Sequence, residues 1–182
     1  MNLETPPLRS ARKRLTYSAA LIVALIGGFA AEAENLYEVG DRLEAIELVD
    51  QHGETGSVGR STKVVILVRD RFASEILKEA FAETEASALA AKKIAYITDL
   101  SRTPLMAKNL FVVPGMRLKQ YSILLDSAPI KTKRYPSKGG QVTLLFLEDL
   151  EIKDIRYATA GSEVAELLDL ERPRSAALEE SR

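Results

Sequence analysis

Four stretches of the chain are apolar almost without a break. They are "KVVILV" from Lys63, "KIAYITDL" from Lys93, "YSILLD" from Tyr121 and "VTLLFL" from Val142. Short, non-alternating runs rich in β-branched residues predict strands covered on both faces of a sheet. Between them the spacing turns helical. Phe72, Ile76, Ala80 and Phe81 fall on one face of a helix that begins after Arg69-Asp70-Arg71. Ala- and Glu-rich sequence extends that helix to about Ala91. "SRTPLMAKNLF" predicts a second helix, with Thr103 as its cap and Pro104 at the first helical position. Val112-Val113-Pro114-Gly115 is expected to stop it. A last helix is predicted with Ser162 as cap and Val164, Leu167 and Leu168 facing inward.

The flanking sequence completes the order. Gly40-Asp41 is a turn signal, "AIELVD" has strand character and "DQHGET" reads as a tight polar turn, so a hairpin or strand-turn opens the domain. "VTLLFL" and "EIKDIRYAT", joined by Glu148 to Leu150, predict a closing hairpin. "APIKTKRYPSKGGQ" is a basic, turn-rich connection or short helix. Strands alternate first with helices, which predicts parallel strands with right-handed crossovers. The hairpin then adds antiparallel strands at one side. The expected fold is α/β, a mixed sheet with helices on both faces.

Composition changes the picture at the N-terminus. Arg9, Arg12, Lys13 and Arg14 precede an uncharged apolar run, Leu15 to Ala30, and then "AEA", Ala31 to Ala33. Basic start, apolar run and small-residue site form the three parts of a secretory signal. The predicted cut lies before Glu34, which makes residues 1–33 a signal peptide and the protein periplasmic. The run has 16 residues, short for a span of about 20, and retention as a membrane anchor is the alternative. Taking four basic and two acidic residues from 25 and 26 leaves 149 residues with a net charge of −3. The expected organisation is a domain over residues 34–171 and a disordered tail over 172–182. Interspersed charge without a basic face argues against a nucleic-acid partner. The chain has no cysteine, which excludes disulfides, thiol redox and cysteine-ligated metal.

The order of elements resembles the thioredoxin superfamily, nearest its peroxiredoxin-like and periplasmic thiol-reductase branches. The resemblance rests on "VGDRLEAIELVDQHGE" before the buried "KVVILV", on the helix straight after it, and on "YSILLD" and "VTLLFLEDLEIKDIRY". It covers Val39 to about Leu170. The resemblance implies active cysteines at the strand-to-helix junction, where this chain has Arg69, Asp70, Arg71, Phe72, Ala73 and Ser74. It also implies a cis-proline, commonly in Pro-Thr, before the strand matching "VTLLFL". Here Thr143 survives and Val142 stands before it. A cis bond to Val142 would cost about 2.5–4 kcal/mol, so a trans peptide is expected.

The junction is the leading site candidate. Ligands of open α/β sheets sit beyond the carboxyl ends of the strands, and Arg69 and Arg71 beside a helix N-terminus suit an anion. Asp70 has an ordinary role as cap, with the arginines solvated. Thr143 joins them as a candidate contact. Lys131, Lys133, Arg134 and Lys138 form a basic loop suited to an acidic partner or to lipid headgroups, or simply to solvent. His52 is the single histidine and reads as a turn residue. The alanine-rich "FAETEASALAAKK" could dock a partner helix, although such alanines commonly just favour helix. No metal site, dinucleotide fingerprint or cofactor is expected.

The function expected is an exported, redox-inactive domain that binds an envelope protein or a small anionic ligand. The alternatives are an oxidoreductase relative acting through a partner's cysteines or a cofactor, and a structural adaptor. Membrane contact is expected only if the N-terminal segment is retained.

Overall fold

The computed structural model describes residues 35–82, 84–128 and 131–170. The expected signal segment, residues 1–33, and the tail, residues 172–182, lie outside the described residues. Seven strands form one sheet: β1 (Ile46–Asp50), β2 (Thr55–Val58), β3 (Val64–Val68), β4 (Ile94–Asp99), β5 (Leu124–Asp126), β6 (Val142–Glu148) and β7 (Glu151–Ala158). Their order across the sheet is β2-β1-β5-β4-β3-β6-β7. β3, β4 and β5 run parallel, and β1, β2, β6 and β7 add antiparallel partners on the two sides.

β3 explains the centre. All five of its residues are buried, and the pleat sends them alternately to the two faces. Val64, Ile66 and Val68 enter one core, and Val65 and Leu67 enter the other. Each such side chain contributes about 1.5–3 kcal/mol on burial, so this strand anchors both layers. The first core is roofed by α1 (Arg71–Ala80), α2 (Ala86–Ala91) and α5 (Gly161–Leu167), which contribute Ala73, Leu77, Leu89 and Val164. α1 and α5 approach closely at Gly161, where a Cβ would stand 2.7 Å from the Glu79 side chain. The second core is covered by extended chain, with Tyr37, Leu43 and Tyr135 buried against Leu67, Ile97 and Leu145.

Several local expectations change. The helix after Arg69-Asp70-Arg71 ends at Ala80 and restarts at Ala86. Phe81 turns into the core instead, and the Thr84 hydroxyl donates to the Ala80 carbonyl at 3.3 Å. The segment after β4 does not stop at Pro114. α3 (Leu105–Ala107), a π turn (Lys108–Val112) and α4 (Val113–Arg117) follow one another without a break. The π turn immediately precedes Pro114, which then takes an early position of α4. Pro104 itself occupies the N-cap position of α3, and no side chain caps that helix. Ser162 does not cap α5. Its N-cap is Ala160, and Glu163 accepts from the Thr159 N–H at 2.8 Å. Ser122 and Ile123 stand outside β5, which begins at Leu124. The link between β6 and β7 is two residues, Asp149 and Leu150, at φ 50° and 69°, the left-handed geometry that tight hairpins require.

Candidate functional site

β3 delivers three charged residues to the carboxyl edge of the sheet, and they meet three different fates. Asp70 is the N-cap of α1: its Oδ1 accepts from the Ala73 N–H at 2.9 Å. Its Oδ2 accepts from the Gly140 N–H at 2.7 Å. One carboxylate therefore ties the start of α1 to the loop before β6. Gly140 sits at φ 73° to present that N–H, a conformation that suits glycine.

Arg69 points to the other face. Its Nη1 lies 2.9 Å from Asp99 Oδ2, and its Nη2 donates to the Thr132 carbonyl and, at 3.4 Å, to the Tyr135 carbonyl. Asp99 ends β4 and is almost fully buried. Asp126 ends β5 in register with it, and accepts from the buried Thr132 hydroxyl. The ends of three parallel strands thus carry Arg69, Asp99 and Asp126 side by side. The crevice where open α/β sheets take ligands is filled by the protein's own ion pair and loop.

Arg71 is the first residue of α1 and is exposed. No hydrogen bond or ion pair engages its side chain among the described residues. Phe72, next to it, is 75% exposed. Thr143 is fully buried on β6 opposite Leu67. Its Oγ1, Arg69 Nε and the Tyr135 hydroxyl are buried polar atoms without a partner among the described residues. Burial, with Tyr37, Glu44 and Asp126 nearby, pushes the Tyr135 hydroxyl pKa up, so it stays protonated. The peptide before Val142 is trans.

The basic loop is folded onto the domain. Lys131 donates to the Glu47 carbonyl. Arg134 stacks 4.2 Å over the Tyr37 ring and donates to the Asn35 carbonyl. Lys138 lies 4.0 Å over the Tyr157 ring, and Lys133 is exposed. His52 lies in the β1–β2 turn, its N–H donating to Asp50 Oδ1 at 2.8 Å. No group of three or more His, Cys, Asp or Glu is arranged for a metal among the described residues.

Sequence reasoning missed Asp99, Asp126, Thr132 and Tyr135. A signal was there: "VVILVR", "IAYITD" and "SILLD" each end in a charged residue, and parallel strands in register bring such ends together. It also missed Gln51. This buried side chain accepts from the Ile123 N–H at 2.7 Å and donates to the Tyr121 carbonyl at 2.8 Å. Gln51 thereby satisfies the chain just before β5, so along β4 the strand β5 pairs only with Ile97–Asp99 and leaves Ile94–Tyr96 without a partner on that side. A cleft of about 370 Å³ lies beside that gap, lined by Phe81, Leu89, Tyr96 and Tyr121 among others.

No family model and no curated protein matches the sequence. Solved structures do match in shape. A candidate protein disulfide isomerase from Bacteroides thetaiotaomicron is 13% identical, with 72% of this chain and 86% of that one covered at a TM-score of 0.50. The fold is thioredoxin-like. An uncharacterized conserved protein from Geobacillus kaustophilus is 12% identical, covering 74% of this chain and 82% of that one at a TM-score of 0.51. Peroxidoxin BcpB from Mycobacterium tuberculosis is 18% identical, covering 75% and 99% at 0.47. In this thioredoxin-like chain the junction holds Asp70 as a cap and Arg69 in an ion pair. The chain's own side chains offer no thiol for disulfide exchange.

Proposed function

We propose that this thioredoxin-like domain is exported to the periplasm by a signal cut before Glu34 and works there as a non-catalytic module that binds an acidic envelope protein. One observation carries the reading: of the charged junction, only Arg71 is left for a partner, and it stands beside an exposed aromatic residue, Phe72. Arg69 is spent on Asp99, Asp70 on two backbone N–H groups, and Thr143 is closed off. This favours a protein partner over a small anion, because a lone exposed arginine holds a small anion weakly while Arg and Phe together resemble an interface anchor. Export rests on the basic start, the apolar run and "AEA".

The test uses the full chain in its native cells with a photo-crosslinking residue at Phe72. A discrete adduct that disappears with Arg71→Glu is the expected result. The same crosslinker at Asp154 should give none. Equal adducts at both positions, or survival of the Phe72 adduct in Arg71→Glu, would refute the junction as a recognition surface. Mass spectrometry of the envelope-fraction protein is expected to find Glu34 as its first residue. An intact N-terminus in the membrane pellet would show an anchor instead.

A further inference from the structure

The helical segment 105–117 buries none of its residues. Leu105, Met106, Leu110 and Phe111, together with Leu118 just beyond, are between 60 and 84% exposed. Met106 and Leu110, four residues apart, stand one above the other, and Phe111 lies in the neighbouring row. The flanking charge is one-sided. From Leu100 to Leu125 there is no acidic residue, while Arg102, Lys108, Arg117 and Lys119 are all basic. Elsewhere the chain is acidic enough that its total is −1.

We propose that segment 102–119 lies on an anionic bilayer surface, its exposed Leu, Met and Phe side chains entering the headgroup boundary and its four cations meeting lipid phosphates. Exposed apolar side chains flanked only by positive charge are the signature of an interfacial helix, and each cation near an anionic surface adds favourable binding. No described helix is long and apolar enough to cross a membrane, so the contact is in the interface plane. The opposed charge also decides against a second copy, since two such faces would set cation against cation. The inference does not rest on the partner surface at Arg71 and Phe72.

The absence of cysteine makes a clean test available. Full-chain protein carries Leu110→Cys, labelled with an environment-sensitive fluorophore, and a control carries the label at Asp154→Cys on β7. Each is mixed with phosphatidylcholine vesicles, with and without phosphatidylglycerol. The expected result is a blue shift and protection from an aqueous quencher at Leu110 only, with anionic vesicles, reversed by salt. Lys108→Gln with Lys119→Gln should weaken that vesicle binding on the order of thirtyfold. Three outcomes would overturn the proposal. The Leu110 label could stay open to quencher on anionic vesicles even when the chain is vesicle-bound. Protection could arise without lipid and rise with protein concentration, marking a second copy. Or protection could appear only with an acidic protein, marking a protein partner.

Discussion

α1 and the 105–117 segment both leave the carboxyl end of a parallel strand, β3 and β4 respectively, and their fates differ. α1 has a carboxylate cap and sends Ala73 and Leu77 into the core. The later segment has no side-chain cap, contains a π turn and fully buries no residue, touching the first core only through the half-buried Met116. Both sequences are rich in apolar residues, so hydrophobic content does not separate them. Periodicity does. α1 concentrates its buried residues on one face, whereas Leu105, Met106, Leu110 and Phe111 are spread over adjacent rows and flanked by cations. One helix is held by the fold, and the other is displayed by it.

Breaking the core itself has the largest expected effect. Val65→Asp or Leu145→Asp places a carboxylate among fully buried neighbours paired across β3 and β6. The expected loss is about 4 kcal/mol or more, seen as a chain unfolded or nearly so at room temperature. Wild-type melting of either variant would mean the strand is not central. Leu77→Ala tests the held helix, with an expected loss of about 3 kcal/mol by urea unfolding. Arg69→Leu leaves Asp99 buried without its cation. Because the guanidinium is partly exposed, about 2 kcal/mol is expected, and a second change, Asp99→Asn, should recover part of it.

A smaller effect concerns Asp50. Burial raises its pKa, but the N–H groups of Glu54 and His52 and the Ser122 hydroxyl outweigh it and hold the carboxyl below its usual 3.8. A depressed folded-state value gives stability that is present in full above the unfolded value and is lost as pH falls through the folded one. The stability gap between wild type and Asp50→Asn should therefore narrow in titrations below about pH 4. The smallest effect sharpens the opening contrast. Leu110→Ala should change stability in solution by no more than about 0.5 kcal/mol. A loss matching that of Leu77→Ala would show that the displayed helix is packed after all.

Where each residue's environment is set by its own strand, the sequence was enough. The continuous run Val64–Val68 announced a strand buried on both faces, and "VTLLFL" and "EIKDIRY" announced the closing hairpin, although its link is one residue shorter than the expected Glu148 to Leu150. The thioredoxin-like order followed from those elements. Asp70 as a cap was likewise readable from its place before a helical period. The Arg69–Asp99 pair was not, because its partners lie 30 residues apart and meet only through the register of β3 and β4. Pro114 misled for the opposite reason. A local rule said stop, and a π turn just before it removed the conflict. Gln51 looked like a polar turn residue, and its burial depends on a backbone 70 residues away.

That last separation has a kinetic consequence. The β6–β7 hairpin closes a two-residue link, and β3 meets β4 across a single crossover. β1 reaches β5 across about 75 residues and β3 reaches β6 across about 80, so both pairings carry a large loop-closure entropy, but β1–β5 has only two residue pairs against four to offset it. Contacts of that range form late in folding, and the β1–β2 arm should be the last to join and the first to open. In hydrogen exchange, the Ile123 amide, held by the Gln51 side chain rather than by a strand ladder, should then exchange with the arm and well before the amides of β3.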